Sequence, residues 1–506
     1  MAIVSKGHAS RRDSPNSGAD KARLITGYSP DSPEIDPDEL RDVHLLAIAG
    51  TGMGSFAQLL QQAGYQVRGS DHGVWPPMSD RLRAAGISWK DGFRPENLVP
   101  EPDLVIVGNV VRRSNPEAEA MRSRRLPHLS FPEALGALFL EKRHSVVVAG
   151  THGKTTTTAI LAWVLQQAGR DPSFLIGGVA ANLDVSARLG MGEHFVVEGD
   201  EYDTAYFDKR PKLLHYRPRT AVLTSVEFDH ADIFRDTEHY ESAFSRFLKL
   251  LPQDGYLAVC AADERALEMA EYHANTNIET YCARDGVEAD WTASDLKTGP
   301  DGASFVLRRG GKELSVVGLQ VAGRHNVENA LAAAAVACRL GLSVEETVAG
   351  LTTFKGVARR QQVVGEANGI TVVDDFAHHP TAVAETVTAV KARFPGRRLW
   401  AVFEPRTNTA RRSIHQESYP ASFRDADMVI VAAPPPHPDA IAPEERLDPN
   451  RLVRDIATNG PSAMHLPDVE AIIEQLSCAV KSKDVILVMS NGSFGNLPRR
   501  LLETLE

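Results

Sequence analysis

An apolar run, VVVAG, ends at Gly150 and passes through Thr151, His152 and Gly153 straight into KTTTT. A buried strand that turns through glycines into a helix aims backbone N–H groups, and the positive end of that helix, at an anion. Lys154 supplies a cation for the β- and γ-phosphate oxygens of ATP, and the Thr155 hydroxyl is placed to reach Mg2+. Gly150, Thr151, His152, Gly153, Lys154, Thr155 and Thr156 are therefore read as a nucleotide-phosphate site. The spacing departs from the usual phosphate loop. Five positions before Gly153 stands Val148, so the loop is a shortened G-x-x-G-K-T. A glycine turn with a solvated lysine is the plainer reading, but it leaves the flanking strand and helix unexplained.

Four acids, Glu198, Asp200, Glu201 and Asp203, follow another apolar run. In doubly wound sheets ligands bind at the carboxyl ends of strands. An acidic cluster alone is ordinarily a solvated turn; beside a phosphate loop it meets the need of ATP chemistry for Mg2+ held by one or two carboxylates. His230 follows the next apolar run in EFDHAD, as either a structural histidine or a cation ligand. In GRHNVENALAAAA, Asn326 and Asn329 share one face of a helix start. Either both touch nucleotide or Asn326 caps the helix. Further on, VARRQQ contains Arg360, and VVDDFAHHP contains Asp374, Asp375, His378 and His379. A metal site at His378 and His379 is a rival reading on residue type, although adjacent loop histidines chelate poorly together.

Another glycine loop, IAGTGMGSFA, brings Gly50, Thr51, Gly52, Met53 and Gly54, with Ser70 and Asp71 at the end of the following strand. It resembles a dinucleotide fingerprint whose third glycine is Ser55. The same device holds any pyrophosphate, whether of NAD or of a UDP-sugar. The ATP chemistry downstream favours UDP.

Positioning these groups takes several elements. At roughly 150 residues per domain, 506 residues predict three domains. Short apolar strands alternate with helices from residue 43 onward, which predicts α/β units with parallel sheets covered on both faces. Residues 1–41, rich in Ser, Asp, Pro and Arg, are expected to form a flexible leader. The units are placed at 42–143, 144–355 and 356–506, with strands expected at 219–228, 370–373, 399–403, 428–431 and 485–489. The alanine-rich stretch 326–340 reads as the helix that closes the middle unit. Hydrophobic residues make up 43% and charged ones 24%, which is ordinary globular composition. A net charge of −11 argues against a general nucleic-acid binder, and no apolar run approaches the ~20 residues that span a bilayer. Nor does an apolar segment follow the early Lys6, Arg11 and Arg12, so neither a secretory signal nor a membrane role is expected. Four scattered cysteines without a C-x-x-C pair fit a reduced, cytoplasmic protein.

The loop GTHGKTTT at 150–157 resembles that of the Mur ligases, ATP-dependent enzymes that form amide bonds in peptidoglycan synthesis, and is similar to that of folylpolyglutamate synthetases. The resemblance runs in order from residue 43 to about 495. It implies a Rossmann-like UDP-binding domain, a central P-loop ATPase-type domain and a Rossmann-like C-terminal domain that binds the peptide substrate. It further implies ATP and Mg2+, with Lys154, Glu198 and His230 as catalytic residues, and Thr155, Glu198 and His230 around Mg2+. Asn326 and Asn329 would contact nucleotide, Arg360 its phosphates and Asp375 the ribose side, while Gly50–Gly54, Ser70 and Asp71 would hold the UDP-sugar. Several family members carry a carbamylated lysine where this chain has Ser245, so none is implied here.

GNVVRRSNP, YFDKRPK, FDHADIF, GEANG, FEPRTNT and SNGSFG resemble one branch of the family. That branch joins L-alanyl-γ-D-glutamyl-meso-diaminopimelate to UDP-N-acetylmuramate through an acyl phosphate, in peptidoglycan recycling. Arg406, His378 and His379 are then the expected peptide contacts. The alternatives are the L-alanine-adding branch, a folylpolyglutamate synthetase-like ligase, and an inactive UDP-sugar-binding regulator. The second does not explain a UDP-type unit ahead of the phosphate loop. The third would need Lys154, Glu198 or His230 replaced, and all three are present.

Overall fold

The computed structural model describes residues 24–435 and 441–506. The architecture is the expected α/β, built on three large sheets. The first has five parallel strands in the order Ser88–Asp91, Gln66–Asp71, Asp42–Leu46, Leu104–Val107, His128–Ser130. Its central members are almost wholly buried apolar residues, as strands covered on both faces must be. Gly50 opens the helix Thr51–Gln62, whose Phe56, Leu59 and Leu60 pack on that sheet.

The second sheet has ten strands, with His144–Ala149 between Thr220–Leu223 and His194–Gly199. The phosphate loop and the acidic cluster therefore leave adjacent parallel strands at the same edge. The expected strand at 219–228 stops at Leu223. Beyond it the backbone wraps the phosphate loop instead: Thr151 N donates to Ser225 O at 2.9 Å, and Thr224 N to Ala149 O at 3.0 Å. Three antiparallel strands, Trp291–Gly299, Gly302–Arg309 and Lys312–Leu319, extend the far edge of this sheet and are absent from the sequence reading. The alanine-rich helix spans Arg324–Arg339; its alanines let it lie close against the helix Lys154–Gln167.

The third sheet runs Gln362–Ala367, Ile370–Asp375, Val485–Met489, Leu399–Phe403, Met428–Ala432, Ser462–Leu466. The last strand of the chain fills its middle. Ile370–Asp375 and Leu399–Phe403 flank it, and their carboxyl ends carry the acid pair and the segment with Arg406.

The leader reading needs correction. Residues 1–23 lie outside the described residues, but 24–41 dock on the first unit. Ile25 and Ile35 bridge backbone to backbone, and Ile35 and Leu40 are only 2% and 3% exposed. Ser32 Oγ donates to His128 O at 2.8 Å, Ser29 Oγ meets His128 Nε2 at 2.8 Å, and Tyr28 N donates to Glu133 Oε1 at 2.6 Å. A short polar stretch orders here because a few apolar side chains find a groove, which composition does not reveal. Among the described residues no helix is long and apolar enough to cross a membrane.

Candidate functional site: a phosphate loop closed by the third unit

Gly150 holds φ +129°, and a Cβ there would fall 2.1 Å from Thr224 Oγ1. Only glycine passes. Gly153, also at positive φ, precedes the helix Lys154–Gln167 and offers no side-chain cap, which leaves the first N–H groups of that helix for a ligand. Lys154 folds back over the loop: Nζ donates to Gly150 O at 2.5 Å and to Glu201 Oε2 at 2.9 Å. Burial alone would lower its pKa, but the charges of Glu201, Asp200 and Glu198 outweigh it and raise the value, so the ammonium is firmly charged. Glu201 is the reciprocal case. Burial opposes its charge, yet Lys154 and then His230 hold its pKa at about 2.

Thr155 Oγ1 donates to Glu198 Oε1 at 2.7 Å, and Gly177 N donates to Glu198 Oε2 at 2.7 Å. Burial, and then the charge of Asp200, push the Glu198 pKa up. Among the described residues no cation forms an ion pair with Glu198. A half-buried carboxylate beside a threonine hydroxyl, lacking its own counter-ion, fits an oxygen-seeking divalent cation such as Mg2+. His230 sits elsewhere in the cluster. Its Nε2 lies 3.3 Å from Glu201 Oε1, not beside Glu198. Burial would lower its pKa, but the Glu201 hydrogen bond and Asp229 raise it to about 9. A cation held at Nε2 therefore has to displace a proton first. Glu201, rather than Glu198, is the acid that joins Lys154 to His230.

The third unit reaches across. Arg360 Nη2 donates to Thr155 Oγ1 at 3.2 Å while its guanidinium lies over Phe376, 4.7 Å from the ring centre. Asp375, 4% exposed, accepts from Gln361 N and Ala377 N, both at 2.7 Å, so its carboxylate shapes the turn that carries Arg360. Asn326 and Asn329 face the same cavity as Gly153, Thr155, Thr156, Arg360 and Asp375. Gly323 caps their helix, which removes the capping role for Asn326. Thr157 Oγ1 donates to Asn329 Oδ1 at 3.1 Å, and Asn326 Nδ2 to Ala322 O at 2.7 Å.

Several expected contacts need revision. Ser70 is fully buried and donates to Glu117 Oε1 at 2.9 Å, inside a network with His44, so its hydroxyl is not a UDP contact. Met53 turns into the core, and Asp71 accepts from Ala49 N at 2.8 Å to tie down the glycine loop. Gly50 caps the helix Thr51–Gln62 without a side-chain hydrogen bond, and Gly54 N donates back to Gly50 O at 2.8 Å. His379 is also buried. It caps the helix Pro380–Arg393 and packs against His152 and His415, whose ring centres each lie 4.6 Å away. Burial first, and then those two rings, hold its pKa down to about 3, so it stays neutral and away from a solvent-borne peptide. His378 Nε2 lies 3.5 Å from Asp229 Oδ2. Arg406 is 42% exposed in its side chain and 3.5 Å from Glu404. Sequence reasoning missed Glu227, whose Oε2 accepts from Thr381 Oγ1 at 2.6 Å and lies 3.1 Å from His152 Nε2. No local signal marks it.

The Mur ligase family, catalytic domain, matches residues 42–143; the Mur ligase middle domain matches 148–337, and the Mur ligase, glutamate ligase domain, 359–492. The UDP-N-acetylmuramate–L-alanyl-γ-D-glutamyl-meso-2,6-diaminoheptandioate ligase of Haemophilus influenzae is 37% identical over 468 residues, which is 92% of this chain and all of that one. The chain belongs to the Mur ligase family. The Escherichia coli ligase of the same name is 38% identical over 465 residues, 92% of this Mur ligase and 98% of the relative. A solved murein peptide ligase from Psychrobacter arcticus 273-4 superposes on it with a TM-score of 0.69 at 37% identity, covering 92% of this chain and 98% of that one. Within this Mur ligase the three matched regions correspond to the three sheets, and the phosphate loop and acids lie in the middle match.

Proposed function

We propose that this Mur ligase joins L-alanyl-γ-D-glutamyl-meso-diaminopimelate to UDP-N-acetylmuramate, with ATP converted to ADP and phosphate. One observation carries the reading: Lys154, Thr155, Glu198 and, from the third unit, Arg360 converge on a single phosphate loop. The convergence occurs in a chain whose 37–38% identical relatives bear that ligase name over 92% of its length.

The lactyl carboxylate of UDP-N-acetylmuramate attacks the γ-phosphorus of ATP, ADP leaves, and an acyl phosphate forms. The α-amine of the tripeptide then attacks the acyl carbon, phosphate departs, and the amide remains. The backbone N–H groups at the uncapped start of the helix, from Gly153 to Thr156, grip the nucleotide phosphates, while those of Thr151 and His152 are held by Ser225. The Lys154 ammonium turns from Gly150 O and Glu201 to the transferring group and meets the charge that develops there. Thr155 and Glu198 would hold Mg2+, which when bound would supply positive charge to the nucleotide phosphates. We assign His230 to a second cation or, as its proton, to the same charge. Arg360 adds a cation only when the third unit is docked, so closure and completion of the phosphate site are one event. Closure also excludes the water that would hydrolyse the acyl phosphate.

The loop from Gly50 to Gly54 is assigned to the UDP pyrophosphate and Arg406 to a peptide carboxylate. Because ATP and UDP-sugars are its substrates, we place the reaction in the cytoplasm. Mass spectrometry of products tests the reading: with ATP and UDP-N-acetylmuramate, the tripeptide should be joined and L-alanine should not. Joining of L-alanine instead would assign the chain to the alanine-adding branch.

A further inference from the structure

We propose a transition-metal site at the seam between the central and third units, formed by His152, Glu227 and His379 and suited to Zn2+. His152 Nε2 stands 3.1 Å, and His379 Nδ1 3.3 Å, from Glu227 Oε2. All three ligand atoms lie within 4.8 Å of one another. Nitrogen and oxygen ligands bound tetrahedrally to Zn2+ are about 3.4 Å apart. Both separations from Glu227 are close to that edge length. Two imidazoles and one carboxylate, with a fourth position open, form a recognised Zn2+ ligand set. Mg2+ prefers oxygen, so this set selects against the cation that suits Thr155 and Glu198.

Two opposite demands meet at one ring nitrogen of the cluster. Thr381 N points at His379 Nδ1 from 3.4 Å, so that nitrogen is asked to accept. Glu227 Oε2 faces the same nitrogen from 3.3 Å and asks it to donate. One ring nitrogen cannot do both. If Nδ1 carries hydrogen, the Thr381 contact is lost; if it does not, two lone pairs face each other. A cation between Nδ1 and Oε2 would take the one lone pair of Nδ1, giving up the long Thr381 contact, and would meet the carboxylate charge. His152 completes the triangle from the phosphate loop itself, held by its own N–H to Ser225 Oγ at 3.0 Å. His152, Glu227 and Thr381 all line the nucleotide cavity, which provides the entry path.

His152 and Glu227 belong to the central unit and His379 to the third, so the ion ties the two together. A Zn2+-class ion therefore holds the closed form and slows turnover. The binding stands apart from the reaction; the inhibition rests on the ligase reading above.

The test is titration of the full-length protein with Co2+ in Mg2+-containing buffer. The expected result is one Co2+ per chain with the strong visible absorption of a four-coordinate ion, displaced by Zn2+. His379→Asn and Glu227→Gln should each weaken Co2+ binding on the order of a hundredfold or more, since loss of a ligand exceeds loss of a supporting partner. Asparagine caps a helix well, so the first variant keeps the helix Pro380–Arg393, and the second preserves shape. His230→Asn should leave the absorption unchanged. A wild type without these bands, bands that persist in both variants, or bands lost in His230→Asn would each overturn the site.

Discussion

The guanidinium of Arg360 donates to the hydroxyl of Thr155 across 3.2 Å, although 205 residues separate the two in sequence. Thr155 passes the contact on to Glu198, so a cation of the third unit, the phosphate loop and the half-buried acid form one line. Arg360→Lys should lower kcat on the order of 10²-fold, because an ammonium cannot lie flat on Phe376 and donate in the same plane. Steady-state kinetics with an unchanged melting temperature would support this. An unchanged kcat would place Arg360 outside the chemistry.

Lys154→Ala should lower kcat by ~10²–10³-fold. Stability should fall too, contrary to what a solvated lysine would give. Glu201 is 1% exposed and would lose one of its two ion-pair partners, with His230 still 3.3 Å away, so the cost should be part of the ~3–5 kcal/mol of a fully broken buried pair. Denaturant unfolding should show that loss largely restored in the double variant Lys154→Met, Glu201→Gln, which stays inactive.

Removal of residues 1–40 should destabilise the first unit. Ile35 and Leu40 are buried, and burial of such side chains is worth ~1.5–3 kcal/mol each. A chain beginning at residue 42 should melt at least about 5 °C below one beginning at residue 24. Equal melting of the two would mean that the docked segment contributes nothing.

How much of this was written locally differs from element to element. The phosphate loop was legible because strand, glycine turn and helix are contiguous, so Gly150 to Thr156 declare themselves. The acids at 198–203 were legible for the same reason, but which acid does what was not. Glu201 and Glu198 are told apart only by Lys154 and Thr155, which approach from the start of the helix Lys154–Gln167. Ser70 and His379 looked like ligand contacts by position, yet packing turned both inward. Glu227 carries no pattern at all, since its partners His152 and Thr381 lie 75 and 154 residues away. The three antiparallel strands at 291–319 were missed because their exposed faces interrupt the apolar runs that mark buried parallel strands.

Asp374 gives a pH test. Burial raises its pKa to about 6, with Asp375 adding and Arg359 opposing. A carboxyl raised in the folded state contributes stability below its unfolded pKa, near 3.8, and loses it as pH rises through about 6. Against Asp374→Asn, the wild type should therefore lose up to ~3 kcal/mol of relative stability between pH 4 and pH 7. Urea unfolding across that window reads the difference directly; a flat difference would refute the assignment.

Arg406→Ala should raise KM for the tripeptide about ten- to a hundredfold, with KM for ATP and UDP-N-acetylmuramate near wild type. Its side chain is 42% exposed, and Glu404, 3.5 Å away, is the partner a peptide carboxylate would have to outcompete with a planar, two-bond grip. Equal damage to all three substrates would point to closure instead, and an unaffected tripeptide KM would remove Arg406 from the peptide site.

The pairing of Lys154 with Glu201 also governs how the site lets go. A buried lysine with no internal partner would cling to any polyphosphate, and ADP would leave slowly. Here the ammonium has a carboxylate 2.9 Å away, fixed beside His230 and available whenever the phosphates withdraw. Nucleotide departure is then an exchange of one anion for another, with no bare charge left in a dry cleft. The acid that weakens the grip on the nucleotide is what allows a second turnover.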